Sequence, residues 1–101
     1  MQRTVLKEVY ELLRNIGAVK NEAEFSRDWL GGSESYARRL RFKGVGASTG
    51  SVAICASKLQ HYGKRMFESS AHCELGKQFL ELSRECHNMI NEEAEVLWLA
   101  A

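Results

Sequence analysis

Four cations stand within six residues near the middle of the chain: Arg38, Arg39, Arg41 and Lys43. Guanidinium forks pair bidentately with guanine edges, and both cation types attract phosphate, so the cluster suits a polyanion. Ser33, Ser35 and Tyr36 precede it with hydroxyls that can reach bases or phosphates. The plainer reading of the cluster is a solvated helix face whose terminal cations complement the helix dipole. Tyr36 also reads equally as a half-buried tyrosine packing on the helix that precedes the Gly31-Gly32 turn. A second group, His72-Cys73 and Cys86-His87, offers zinc-ligand chemistry. On one helix those pairs lie about 20 Å apart at about 1.5 Å per residue, too far to share an ion, so no metal is expected. A Cys or Ser nucleophile would need an organised His partner, and His61 stands alone. Gly44-Val45-Gly46 is too short for a phosphate loop and lacks the Lys-Ser/Thr continuation. No enzymatic activity and no cofactor is expected.

The elements that must position these residues are helices. The 101 residues contain no proline, 45% are hydrophobic and 27% charged, which fits a single helical domain over 1–101. The formal net charge is only +1, but residues 1–70 hold 12 Lys/Arg against 7 Asp/Glu, while residues 71–101 hold 2 against 6. A basic body and an acidic final segment are suited to different partners. Cys55, Cys73 and Cys86 are odd in number and sit in apolar helical patterns, so they read as reduced core residues. The longest apolar run, Val96 to Ala101, is six residues, and Arg3, Lys7 and Glu8 interrupt any leader-like stretch. No membrane span is expected, and a cytoplasmic location follows.

Periodicity places five helices. Val5, Val9, Leu12, Leu13 and Ile16 share one stripe, ended by Gly17. Asn21 and Glu24 form a capping-box-like start to a second helix, which turns Phe25, Trp29 and Leu30 inward and stops at Gly31-Gly32. Ser33 is expected to cap a third helix from Glu34 to about Arg41, burying Ala37 and Leu40; continued further it would turn Phe42 toward solvent, so it is expected to end at Arg41 or Phe42. A fourth starts at Ser48 or Thr49 with Val52, Cys55, Leu59, Tyr62 and Met66 inward, and Gly63 ends or kinks it. The last runs from near Ser70 to the end of the sequence, with a heptad-like stripe of Leu75, Phe79, Leu82, Cys86, Met89 and Val96 broken by Glu93.

Two short helices joined by a tight turn, the second rich in cations, have the layout of a helix-turn-helix. The stretch from Glu24 to Arg41 resembles that of phage repressor/Cro-like (XRE-type) regulators, with Gly31 as the turn glycine, Ser33 as the cap, and Ala37 and Leu40 six and nine positions after the glycine. The following segment, Ala47 to Leu59, resembles the family's next helix, so the resemblance covers Asn21 to Leu59. Arg27 stands four before the turn glycine, where the family has a small residue, Ser26 stands where an aliphatic is usual, and Glu34 lies early in the recognition helix.

The fold expected is therefore all-α: a five-helix bundle with a helix-turn-helix region over 21–59 and a long C-terminal association helix over 70–101. The function expected is DNA-binding transcriptional regulation, with helix 33–41 in the major groove of double-stranded DNA. Ser33, Ser35, Tyr36, Arg38, Arg39, Arg41 and Lys43 are the candidate contacts. Either the C-terminal helix folds back over the bundle as its fifth member, or a homodimer through that helix buries Val96, Leu97, Trp98 and Leu99, the second being the preferred reading. The alternative function is a non-enzymatic helical protein-interaction module, either a degenerate helix-turn-helix or an antitoxin-like partner.

Overall fold

The structure, a computed structural model, describes residues 5–100. Five helices and, among the described residues, no strand make the fold all-α: α1 (Val5–Asn15), α2 (Glu22–Trp29), α3 (Tyr36–Lys43), α4 (Thr49–Phe67) and α5 (Cys73–Leu99). By its internal contacts the chain divides into two compact units, Met1–Ile54 and Cys55–Ala101, with the boundary inside α4.

In the first unit, Val9, Leu13, Val19, Phe25, Trp29, Leu30 and Val52 are buried. Each such large apolar side chain contributes about 1.5–3 kcal/mol when fully removed from water. The Tyr10 ring lies 5.4 Å from that of Phe25, tying α1 to α2. Ile16 does not extend the α1 stripe; the helix ends at Asn15, and Ile16 is exposed as the chain turns through Gly17, whose φ is +81°. Helix α2 starts as its sequence requires. The Asn21 side chain accepts from the Glu24 N–H at 3.0 Å, and the Glu24 carboxylate reaches back to the Lys20 N–H at 2.7 Å. Ser48 opens α4, its Oγ accepting from the Ser51 N–H at 3.2 Å.

In the second unit, Cys55, Ala56, Leu59, Phe79 and Cys86 are buried, and Ser83 donates from its buried Oγ to the Ala56 carbonyl at 2.7 Å. Helix α4 neither ends nor kinks at Gly63, contrary to expectation. It continues to Phe67, and Gly63 is a buried contact point instead. A Cβ there would lie 3.0–3.1 Å from atoms of Leu80 and Phe79. Opposite it, a Cβ on Gly76 would lie 2.5 Å from the Phe67 nitrogen and 2.8 Å from the Gly63 carbonyl oxygen. Two glycines thus let α4 and α5 cross almost backbone to backbone. Helix α5 starts at Cys73 rather than near Ser70, because residues 69–72 are taken up by a turn in which the His72 N–H bonds the Ser69 carbonyl. It reaches Leu99; the expected continuation to Ala101 lies outside the described residues. Tyr62, expected inward, is exposed, as are all residues from Asn91 to Ala100.

Candidate nucleic-acid interface

Helices α2 and α3 are joined by six residues, 30–35, and the turn depends on Gly31. Its φ of +67° is left-handed, a conformation that disfavours any residue with a Cβ, and such a Cβ would meet the Ile54 side chain at 2.7 Å. The Gly32 N–H then bonds back to the Ser26 carbonyl at 2.9 Å, closing the end of α2.

Helix α3 begins two residues later than expected and is not capped by Ser33. Its N-cap is Ser35, whose side chain makes no capping bond. Ser33 serves the turn instead: its carbonyl accepts from the Tyr36 N–H at 3.0 Å, and its Oγ accepts from Arg39 at 3.3 Å. The first turn of α3 is capped from outside. Ser26, fully buried in α2, accepts the Ala37 N–H on its Oγ at 2.9 Å while donating to the Glu22 carbonyl at 2.8 Å. A small side chain at position 26 allows the two helices to approach, and its hydroxyl fixes the register of α3. Arg27, the next residue, is exposed.

Tyr36 fixes the other side of α3. Its hydroxyl accepts the Ser48 N–H at 2.9 Å, at the entry to α4. Partial burial pushes the phenol up, but hydrogen bonds from Ser48 and Ser51 outweigh it, leaving the group below its ordinary value. Ala37 and Leu40 are half-buried rather than buried, so α3 lies on the surface of its unit and contributes no fully buried residue. The helix extends to Lys43, and Gly44 ends it with a φ of +68°.

At about 100° per residue, Arg38, Arg39 and Phe42 centre on the side opposite Ala37 and Leu40, with Arg41 and Lys43 on the flanks. Arg38, Arg39 and Lys43 are exposed, and no carboxylate among the described residues pairs with any of them. Arg41 is engaged: its guanidinium holds the Glu22 carboxylate at 2.8 and 3.1 Å, and that partner pushes it above its ordinary range. Glu34, whose charge would oppose phosphate, pairs with Arg27 at 3.1 Å, and Arg27 also bonds Asp28 at 3.0 Å. The expected contacts therefore divide. Arg38 and Arg39 face outward beside Phe42, Lys43 is exposed on one flank, Ser33 and Ser35 shape the turn, and Tyr36 and Arg41 have partners within the unit.

Sequence reading missed Ser26, whose signal is a small polar residue between Phe25 and Trp29 on an apolar face. It also missed Glu22 as the partner of Arg41, which no local spacing encodes. The expected end of the helix at Arg41 or Phe42, argued from keeping Phe42 out of solvent, is overturned: the helix runs on to Lys43, and Phe42 is 92% exposed in the middle of the cations.

Elsewhere, Cys55, Cys73 and Cys86 are free thiols. The hydrogen bond with Cys86, and burial after it, push the Cys55 thiol far up, which makes it inert as a nucleophile. Among the described residues no three His, Cys, Asp or Glu side chains gather so as to hold a metal ion. No described helix is long and apolar enough to cross a membrane.

No curated protein and no solved structure matches the chain. A family model described as a family of unknown function, DUF6626, matches residues 6–99, from the second residue of α1 to the last of α5. The chain belongs to the DUF6626 family.

Proposed function

We propose that this chain is a cytoplasmic, non-enzymatic DNA-binding transcriptional regulator that lays α3 in the major groove of double-stranded DNA. The observation that carries the reading is the pairing of a firmly registered helix with an uncommitted cationic face. Ser26 and Tyr36 fix α3 by hydrogen bonds at 2.9 Å each, while Arg38, Arg39 and Lys43 stand exposed without carboxylate partners among the described residues. A recognition helix needs both properties, since loose positioning would forfeit the directional bonds to base edges.

In this reading Arg38 and Arg39 contact bases or phosphates and Lys43 holds the backbone. Ser33 and Ser35 lie at the approach to the phosphates. Arg41 supplies charge from the flank, exchanging Glu22 for phosphate when DNA arrives, because an exposed ion pair is weak. The Arg27–Glu34 pair offsets the carboxylate that would otherwise repel the duplex.

Fluorescence anisotropy with a labelled generic duplex over a salt series tests this. Four phosphate-neutralising cations, Arg41 included, give a slope of log K against log salt of about −3.6, and Arg38→Ala with Arg39→Ala brings it to about −1.8. Absence of binding at low salt would reject the reading. It would favour the second one, a protein-interaction module, for which the 92% exposure of Phe42 is the supporting observation.

A further inference from the structure

Past Ile90, α5 contributes nothing to a core. Every residue from Asn91 to Ala100 is exposed, including Val96, Leu97, Trp98 and Leu99, which keep 64–77% of their surface in water. Four large apolar residues in succession distribute around the helix at about 100° per residue, so they call for a partner that cradles the helix end rather than a flat one-sided seam. The same segment carries Glu92, Glu93 and Glu95 and no cation.

We infer that the last turns of α5 dock on α3 of a second copy of this chain, each copy giving one α5 end and receiving another. Charge selects this occupant. Residues 36–43 hold four cations and no carboxylate, whereas residues 91–99 hold three carboxylates and no cation. Pairing α5 ends side by side in parallel would instead set three carboxylates against three more. Each surface also has exposed apolar groups among its charges, Phe42 and Val45 on one and Leu97 and Trp98 on the other. The lengths agree as well, at about 12 Å for α3 and about 13 Å for residues 91–99, taking 1.5 Å per residue. Trp98 can stack on the Arg38 or Arg39 guanidinium, a contact that a desolvated rim strengthens. A reciprocal exchange forms the contact twice on a two-fold axis and gives a dimer; a one-way contact would instead continue into larger assemblies, which the measured mass distinguishes.

The association does not depend on the DNA-binding reading, but its consequence does. If α3 reads DNA, the dimer covers the reading surface, and duplex and second copy compete for it.

The test is the mass of the full chain, without DNA, by sedimentation at about 100 µM in low and high salt. Two charge-reversed chains accompany the wild type: Glu92→Lys/Glu93→Lys/Glu95→Lys, and Arg38→Glu/Arg39→Glu/Lys43→Glu. All six positions are exposed, and circular dichroism checks that both chains fold. The wild type is expected to dimerise and to lose about tenfold or more in affinity between about 50 and about 500 mM salt. Each variant alone is expected to be monomeric, and their equimolar mixture to give a heterodimer, since only unlike chains then match at both contacts. A monomeric wild type in low salt, a dimer that either variant leaves intact, or folded variants that fail to pair when mixed would each overturn the inference. Adding duplex separates the two claims: a chain that passes the mass test but binds no DNA keeps the dimer and loses only the competition.

Discussion

Ser26→Ala isolates the one hydroxyl on which the placement of α3 depends. The Ser26 Oγ is fully buried and accepts the Ala37 N–H at 2.9 Å. That N–H lies in the first turn of α3, where no intrahelical acceptor exists. Removing the acceptor strands a partly buried donor, which costs about 1–3 kcal/mol. Against this stands the better helix propensity of Ala, worth roughly 0.5 kcal/mol inside α2. The net loss is therefore about 0.5–2.5 kcal/mol, or a fall in Tm of roughly 2–20 °C for a chain of this size. Urea unfolding followed by circular dichroism gives the loss, with an unchanged m value expected because the same surface is exposed on unfolding. Amide exchange at Ala37 gives the mechanism, since that proton should exchange faster in the variant while those in the middle of α5 change only as global stability does. A loss below about 0.3 kcal/mol with Ala37 exchange unchanged would refute the argument that Ser26 fixes the helix.

Three further outcomes follow from the geometry. Gly76→Ala should cost about 3 kcal/mol in urea unfolding, because its Cβ would meet backbone atoms of Phe67 and Gly63 that cannot move aside; Gly63→Ala, facing mainly the Leu80 side chain, should cost about 1 kcal/mol. Tyr36→Phe keeps the ring but leaves the Ser48 N–H without its acceptor, and should lose about 1 kcal/mol in the same assay. Thiol labelling with a maleimide, read by mass, should modify the partly exposed Cys73 first, and Cys55 and Cys86 only as the chain opens.

What could be read from the sequence is what is encoded locally. Asn21 with Glu24 and the turn at Gly31 each follow from residues within a few positions of one another. The misreadings share a cause, which is that the deciding partner comes from another helix. Ser33 has the composition of a cap, but Ser26 supplies the bond that caps α3, so the helix starts at Tyr36. Gly63 has the composition of a break, yet it lies where Phe79 and Leu80 approach, so α4 passes through it. Arg41 counts as a free cation in any sequence window until Glu22, nineteen residues earlier, is placed beside it. In the candidate interface, the charge of α3 was therefore legible, and the division between free and engaged arginines was not.

The most direct measurement is residue-level: amide chemical-shift changes in the isotope-labelled chain titrated with a short duplex at low salt. The account predicts that the largest changes fall on Arg38, Arg39, Phe42 and Lys43, with smaller ones at Ser33 and Ser35. Unperturbed α3 resonances at saturating duplex, or changes confined to other helices, would contradict it.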